Sequence, residues 1–254
     1  MHTRSIYSSE IVVKHDKMQH NLENNYPGLG LLRTDVFELS NSLNNLIDYL
    51  SKEYPDYIKQ KWQARNANEL RINLEKAEAS KFGISVPKGL FGYIRDIANV
   101  GKHMSIGRPD ATVTRVSDVT EAIGFIRYGD DSGHYYGHKY LVLVKKAENL
   151  WVPAEFLLDS GFLVATKLLM DIGLIPGLPK NKKINRNLYI SREESENLKK
   201  PKINTRKGEY LSVALRTYIY LENDFFQIRS AKPNETFKSK NDIKVVVDDS
   251  IFEE

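Results

Sequence analysis

The sequence LRTDVFELSNSLNNLIDYLSKEY, residues 32–54, carries the clearest structural pattern in the chain. Apolar residues recur here at steps of three and four, the spacing that places side chains on one face of an α-helix. That face carries Val36, Leu39, Leu43, Leu46, Ile47 and Leu50. Thr34 or Asp35 suits the N-cap position, and Pro55 ends this helix or opens the next. The stretch therefore predicts an amphipathic helix packed against a core.

Two further helices are predicted after this one. The first, over residues 56–80, is more polar and has apolar contacts at Tyr57, Ile58, Trp62, Leu70, Ile72 and Leu74. The second runs from about Gly89 to Met104, and Gly107 and Pro109 follow it. Residues 31–106 thus form a predicted helical bundle. Residues 1–30 show no sustained period and contain the turn-rich run NNYPGLG, so we expect an irregular N-terminal arm.

Beyond Pro109 the period of the apolar residues falls to two, which indicates β-strands. Strands are predicted at 111–116, 122–128 and 138–146, and a helix over 152–174 follows, with Gly161 as a break. Residues 107–177 therefore combine antiparallel strands with a covering helix. Residues 209–254 predict a C-terminal β-hairpin, a short last strand and an acidic tail. This order predicts an α+β fold and not a repeating βαβ fold.

Composition excludes several classes of protein. The chain has 254 residues, a formal charge of +4 and no cysteine, which excludes disulfides, thiol nucleophiles and cysteine-ligated zinc. No signal peptide is evident, and the most apolar segment, 161–177, is interrupted by Lys167 and Asp171 and falls short of the roughly 20 residues that span a bilayer. We expect a soluble, cytoplasmic protein without a membrane partner. Phosphate-binding glycine loops and dinucleotide fingerprints are absent from the sequence, and we expect no cofactor.

The strongest charge asymmetry lies in residues 178–208, which form a predicted basic linker. This segment holds ten Lys or Arg and three Glu, a charge of +7, and few apolar residues to pack it. Its cations could neutralise the phosphates of RNA or DNA. The candidate nucleic-acid-binding residues are Lys180, Lys182, Lys183, Arg186, Lys199, Lys200, Lys202, Arg206 and Lys207. The alternatives are a solvated linker between two sub-domains and contact with a protein partner.

A second polar cluster, DDSGHYYGH at residues 130–138, holds the potential metal ligands Asp130, Asp131, His134 and His138. In an extended strand His134 and His138 point to the same side. They are nevertheless about 13 Å apart along the strand, too far for both to bind one ion unless the turn folds back. We therefore expect a polar hairpin tip and no metal site.

The stretch RDIANVGKH, residues 95–103, lies on the helix predicted from Gly89 to Met104. The apolar positions of that helix face a core, whereas Arg95, Asn99, Lys102 and His103 share a polar stripe. An arginine can hold a phosphate by two parallel hydrogen bonds, and a histidine can move a proton near neutral pH. Together they could cleave a phosphodiester through the 2′-hydroxyl of RNA, without a metal. The alternative is an ordinary solvated face or an interface within a bundle.

An arginine followed by a small polar residue, with a histidine further along the same helix, resembles the HEPN family of helical-bundle domains, many of them ribonucleases of toxin and phage-defence systems. The run ANVGKH is similar to the N-x-x-K-H run of several HEPN-like families. This resemblance covers residues 31–106. It implies that Arg95 and His103 form a catalytic pair with Asp96 as the polar residue after the arginine. It also implies an active site formed across a homodimer, with Asn99 and Lys102 in the same run.

Two functions are therefore compatible with the sequence. Seven residues separate Arg95 from His103, more than in the family's motif, and the β-rich second half has no place in a minimal nuclease. These observations favour a non-catalytic binding or regulatory protein of a phage-defence or toxin-type system, with the bundle for association and the basic segment for nucleic acid. The alternative is a metal-independent HEPN-type endoribonuclease that uses Arg95 and His103.

Overall fold

The computed structural model of the chain describes residues 2–24, 32–77, 86–130, 132–147, 150–178, 191–197, 216–220 and 226–230. At 24, 122–130, 134, 136–139, 147, 150, 194–195, 216–220 and 226–230 it describes the backbone alone. The helices are α1 (His2–Ile6), α2 (Val12–Asn24), α3 (Leu32–Glu53), α4 (Pro55–Trp62), α5 (Ala67–Lys76), α6 (Leu90–His103), α7 (Ala154–Asp171) and α8 (Arg192–Asn197). The strands are β1 (Val119–Asp130), β2 (Gly133–Ala147), β3 (Leu150–Pro153), β4 (Arg216–Tyr220) and β5 (Phe226–Ser230).

The N-terminal segment differs from the irregular arm that the sequence led us to expect. Residues 2–24 are helical, with a π-helical turn at Tyr7–Ile11 between α1 and α2. Ile11 and Met18 are fully buried, and so is the polar His15. The helix was missed because part of its buried face is polar, and His15 and Asn21 on that face bond to Asp159 and Asp35, which lie elsewhere in the chain.

Helix α3 confirms the predicted face, since the six apolar residues assigned to that face are all buried. The expected N-cap is wrong, because α3 begins at Leu32 and Thr34 and Asp35 lie inside its first turn. Asp35 is buried and accepts a 2.6 Å hydrogen bond from Asn21 Nδ2. It also pairs with Lys17 Nζ at 2.7 Å. Its carboxylate therefore joins α3 to α2 and does not cap α3.

The single polar helix predicted over 56–80 is two helices. The chain leaves α4 at Gln63, whose φ of 51° is left-handed, and α5 restarts with Asn66 as its N-cap, accepting a hydrogen bond from Glu69 N at 3.0 Å. The asparagine side chain readily accepts a hydrogen bond from an amide in the first turn of a helix, so Asn66 favours the start of a new helix there. Ile72, expected to contact the core, is 52% exposed.

Helix α6 confirms the third predicted helix within one residue at each end. Helix α7 also confirms its prediction, but it continues through Gly161, where a break was expected. A Cβ at Gly161 would lie 2.7 Å from Ile94 Cδ1 and 3.1 Å from Leu43 Cδ1. The glycine therefore does not interrupt α7. It allows α3, α6 and α7 to approach one another closely.

The sheet has the strand order β3-β2-β1-β4-β5. Strand β1 pairs antiparallel with β2 along its whole length, and β2 pairs antiparallel with β3, a short strand that the sequence pattern did not predict. The strand predicted at 111–116 is absent. That segment is mainly loop, with an isolated bridge between Ser105 and Arg115 and a 3₁₀ turn at Val116–Asp118. The alternation of apolar residues there reflects a loop closed against α6.

The two C-terminal strands form the expected antiparallel pair, and they extend the same sheet. Strand β4 pairs parallel with β1 through Gly124–Arg216 to Arg127–Ile219 and antiparallel with β5. The predicted last strand and acidic tail lie outside the described residues. The fold is thus α+β, as the sequence predicted.

The helices and the sheet share one core. Leu158 and Phe162 of α7 are buried in the same core as Leu43 of α3 and Val142 and Val144 of β2. Helix α7 therefore contacts both the bundle and the sheet, whereas the sequence assigned it only to the sheet. The division of the chain into five regions stays a prediction. Within the ranges described above, we find no helix with the length and hydropathy needed to cross a membrane.

Candidate functional site

Helix α6 positions the polar stripe and is firmly capped at its start. The Glu75 carboxylate accepts hydrogen bonds from Gly89 N at 3.0 Å and from Phe91 N at 2.8 Å, which satisfies amides that have no partner inside the helix. At the other end Met104 adopts a left-handed φ of 64° and terminates the helix. Lys102 and His103 stand in the last turn, where positive charge interacts favourably with the helix dipole.

Asp96 is buried and does not belong to the exposed stripe. One of its oxygens accepts a 2.9 Å hydrogen bond from Thr112 N, and the other pairs with the Arg108 guanidinium. Both partners lie in the loop of residues 104–115 that follows α6. Asp96 therefore anchors that loop against the helix, a tertiary role that explains a buried carboxylate directly after Arg95.

Arg95 lies beside Asp96 but is held by weaker contacts than Arg108 is. Its side chain is 31% exposed, and its nearest carboxylate contacts are Nε to Asp96 Oδ1 at 3.9 Å and Nη2 to Asp110 Oδ2 at 3.8 Å. Both separations exceed hydrogen-bond length. Within the described part of the chain the Arg95 Nε is buried without a hydrogen-bond partner. Among the described residues, the Arg95 guanidinium is thus held by charge and not by hydrogen bonds.

Arg108 and Asp110 complete the group, which we call the arginine cluster: Arg95, Asp96, Arg108 and Asp110. Arg108 Nε lies 2.5 Å from Asp110 Oδ1, and the Asp110 side chain is 70% exposed. The sequence analysis missed both residues because the loop brings them back onto α6 from 12 or more positions away. The run GRPD at 107–110, a turn with both charges directly after the helix, is the signal that was available.

The loop is closed at its base by backbone and side-chain hydrogen bonds. Ile106 N donates to Thr114 O at 2.8 Å, and Val116 N donates to Met104 O at 3.1 Å. The Asp118 carboxylate accepts from Thr114 N at 2.9 Å and from Arg115 N at 3.0 Å. Burial raises the pKa of Asp118, but these hydrogen bonds and the Lys145 charge outweigh it, and the pKa falls below its ordinary value.

The structure does not bring Arg95 and His103 together within one protomer. Both lie on the uninterrupted helix α6, eight positions apart, which separates their backbones by about 12 Å along the helix axis and by about 80° around it. Lys102 and His103 are exposed, and Asn99 is half-buried. The predicted residues therefore form a stripe whose arginine and histidine ends are apart.

All nine predicted nucleic-acid-binding residues of the basic segment lie outside the described residues. The described residues of the segment include α8. Arg192 of α8 donates a 3.0 Å hydrogen bond to Gly133 O and lies 4.8 Å from the centre of the Tyr135 ring. Helix α8 therefore packs on the turn between β1 and β2.

The suggested metal ligands at the hairpin tip are not placed by the structure. Asp131 and the side chains of Asp130, His134 and His138 lie outside what it describes. Elsewhere in the described part of the chain, no group of three His, Asp or Glu side chains is arranged to hold a metal ion.

A histidine–aspartate pair that the sequence did not indicate joins α2 to α7. His15 Nε2 lies 2.7 Å from Asp159 Oδ1, and the two side chains are 1% and 0% exposed. Gln19 Nε2 donates to the same oxygen at 2.9 Å, and the His15 ring stacks on Phe162 at 4.3 Å between ring centres. Because the pair is fully enclosed, it serves the packing of the bundle and is closed to a substrate.

Comparison with known proteins adds no assignment. No protein-family model matches the chain, and no curated protein or solved structure matches it. The HEPN resemblance of residues 31–106 therefore stays a prediction.

Proposed function

We propose that this chain is a non-catalytic nucleic-acid-binding or regulatory protein. In this proposal the basic segment contacts the phosphates of RNA or DNA. The helical bundle serves association with a protein partner or a second copy of the chain. Its biological setting is the phage-defence or toxin type of system that the HEPN resemblance implies.

One observation carries the proposal. Arg95 offers a partly exposed guanidinium without hydrogen bonds in the described part of the chain, while His103 stands about 12 Å further along α6. If Arg95 holds a phosphate, the His103 imidazole of the same protomer is too far away to move a proton at that phosphate. The arrangement therefore supports holding a phosphate more than cleaving a phosphodiester.

The charge distribution supports the same function. Residues 178–208 carry +7, more than the +4 of the entire chain, so the other residues together carry −3. Nucleic-acid affinity that depends on such a segment falls steeply with salt, because each neutralised phosphate releases bound cations. The charge of the segment is thus measurable through the salt dependence of binding.

The test compares Lys180→Gln/Lys182→Gln/Lys183→Gln with the wild type, using fluorescence anisotropy of a labelled, unstructured single-stranded RNA over 50 to 300 mM salt. Loss of three phosphate contacts should make the slope of log K against log salt shallower by about 2. The control, Lys52→Gln/Lys59→Gln/Lys88→Gln, removes the same charge from exposed lysines outside the segment. Equal slopes for the two triple variants would contradict a role for the basic segment.

The alternative is a metal-independent endoribonuclease whose active site forms across two copies. It is supported by the exposure of Lys102 and His103 at one end of α6, which leaves them accessible to a second protomer. Such an enzyme would cleave RNA in the presence of EDTA, and both Arg95→Gln and His103→Ala would abolish that cleavage. Binding without cleavage distinguishes the first proposal from the second.

A further inference from the structure

The arginine cluster contains one carboxylate shared by two guanidinium groups. The two oxygens of Asp110 face different arginines, Oδ1 with Arg108 Nε at 2.5 Å and Oδ2 with Arg95 Nη2 at 3.8 Å. The two guanidinium groups lie beside the two oxygens of one anion as ion pairs and not as hydrogen bonds. Two arginines on either side of one anion can also hold a phosphoryl group. Asp110 thus occupies the position of an anionic ligand.

Arg108 is held in place independently of Asp110. Its Nη2 pairs with the Asp96 carboxylate, which is buried and further fixed by Thr112 N at 2.9 Å. Asp96 itself sits inside α6, so this contact ties Arg108 to a rigid element. If Asp110 moves away, Arg108 keeps its anchor and remains directed at the vacated position. The site is therefore built in advance of any ligand.

Asp110 is the least constrained member of the cluster. Its side chain is 70% exposed and stands in a turn closed by Ala111 N to Arg108 O at 3.1 Å. The contacts of its carboxylate within the described part of the chain are those with Arg95 and Arg108. Exposed ion pairs of this kind contribute little to stability, so displacing Asp110 costs little.

We propose that Arg95 and Arg108 form a phosphoryl-binding site and that Asp110 is its internal competitor, displaced when the anion binds. With Asp110 in place the four charges of the cluster cancel; with Asp110 displaced the site carries one net positive charge. The ligand is a phosphoryl anion, from an RNA backbone or from a free phosphate. The RNA source rests on the proposed function, whereas the site itself does not.

The test measures two ligands on the full chain: orthophosphate by calorimetry and a labelled single-stranded RNA by anisotropy. Asp110→Asn should bind orthophosphate about two- to fivefold more tightly, because it removes the competitor. Arg95→Gln should bind at least about tenfold more weakly, because it removes charged hydrogen bonds to the ligand. Glu23→Gln is the control, since it removes one negative charge from an exposed site on α2, outside the cluster.

Several results would overturn the proposal. Equal affinity of Asp110→Asn and Glu23→Gln would show that only net charge matters, and unchanged affinity of Arg95→Gln would show that no site exists. Thermal unfolding of each variant establishes that the fold is retained. In one outcome orthophosphate does not bind, and RNA binding is lost in the Lys180, Lys182 and Lys183 triple variant but not in Arg95→Gln. The phosphoryl site is then contradicted, whereas the proposed function stands. If orthophosphate binds as predicted and RNA does not, the cluster stands and the proposed function fails.

Discussion

At the scale of single residues, glycine positions show how tightly the helices pack. Gly161→Ala places a Cβ 2.7 Å from Ile94 Cδ1 and 3.1 Å from Leu43 Cδ1. Both methyls end flexible side chains, but Ile94 and Leu43 are buried and have little space to move into. The crowding therefore outweighs the gain in helix propensity, and we expect a loss of about 1–2 kcal/mol in the free energy of unfolding. Urea denaturation at neutral pH measures it.

Gly92→Ala is the matched control on α6, because a Cβ there meets nothing within 4 Å. We expect it to raise the free energy of unfolding by about 0.5–1 kcal/mol through helix propensity alone. Equal stabilisation by the two alanines would contradict the close approach of α3, α6 and α7. The sequence predicted a break at Gly161, and the contact with Ile94 and Leu43 that explains the glycine arises from tertiary structure.

Asp118, which fastens the loop after α6, should make the free energy of unfolding depend on pH. Its pKa in the folded state lies below the ordinary value of 3.8, so the stabilisation it provides is complete above about pH 4 and is lost as the pH falls through the lowered pKa. Asp118→Asn should destabilise the protein by about 1–2 kcal/mol at pH 7, because charged hydrogen bonds to Thr114 and Arg115 become neutral ones.

Urea denaturation at pH 7 and at pH 3 tests this assignment, with Asp56→Asn as an exposed aspartate control. The difference between wild type and Asp118→Asn should shrink at the lower pH. A difference that stays constant between the two pH values would mean that the Asp118 charge does not fasten the loop.

At the scale of elements, the sequence predicted α3, α6 and α7 well because each carries a regular apolar face or stretch. It missed α2 because His15 and Asn21 occupy buried positions and are satisfied by Asp159 and Asp35, on helices elsewhere in the chain. No local pattern shows such pairing. The same limit applies to the arginine cluster, since Arg95 and Asp96 were recognised on α6 but their partners come from a loop folded back onto it.

The His15–Asp159 pair joins α2 to α7, and we predict that its removal destabilises the protein. Removing either partner leaves a buried polar group without its counterpart, so Asp159→Ala and His15→Ala should each lower the free energy of unfolding by about 3 kcal/mol. The double variant should lose clearly less than the two single losses added together, because the second change removes an already broken pair.

A double-mutant cycle by urea denaturation measures this coupling. Ser160→Ala is the control on the same helix, since among the described residues its hydroxyl donates one hydrogen bond, to Phe156 O at 2.8 Å, and it should cost less than about 1 kcal/mol. Additive effects of the His15 and Asp159 changes would show that the two side chains do not depend on each other.

At the scale of the whole molecule, helices, sheet and α7 share one core, and the C-terminal strands β4 and β5 continue the same sheet. The sequence predicted the α+β class from the change of period, but not the parallel pairing of β4 with β1, which joins residues about 90 positions apart. The α6 stripe, which includes Arg95 of the arginine cluster, is at least partly exposed, and the basic segment carries a charge of +7 in the sequence. We propose that they act together on a phosphate backbone.

The central claim is that the chain binds nucleic acid without cleaving it. The most direct measurement incubates end-labelled single-stranded RNA with wild type and with His103→Ala, in EDTA, and analyses each sample by both native and denaturing gels. We predict a salt-sensitive shift on the native gel for both proteins and intact RNA on the denaturing gel. Cleavage by the wild type that disappears in His103→Ala, or no shift at low salt, would contradict it.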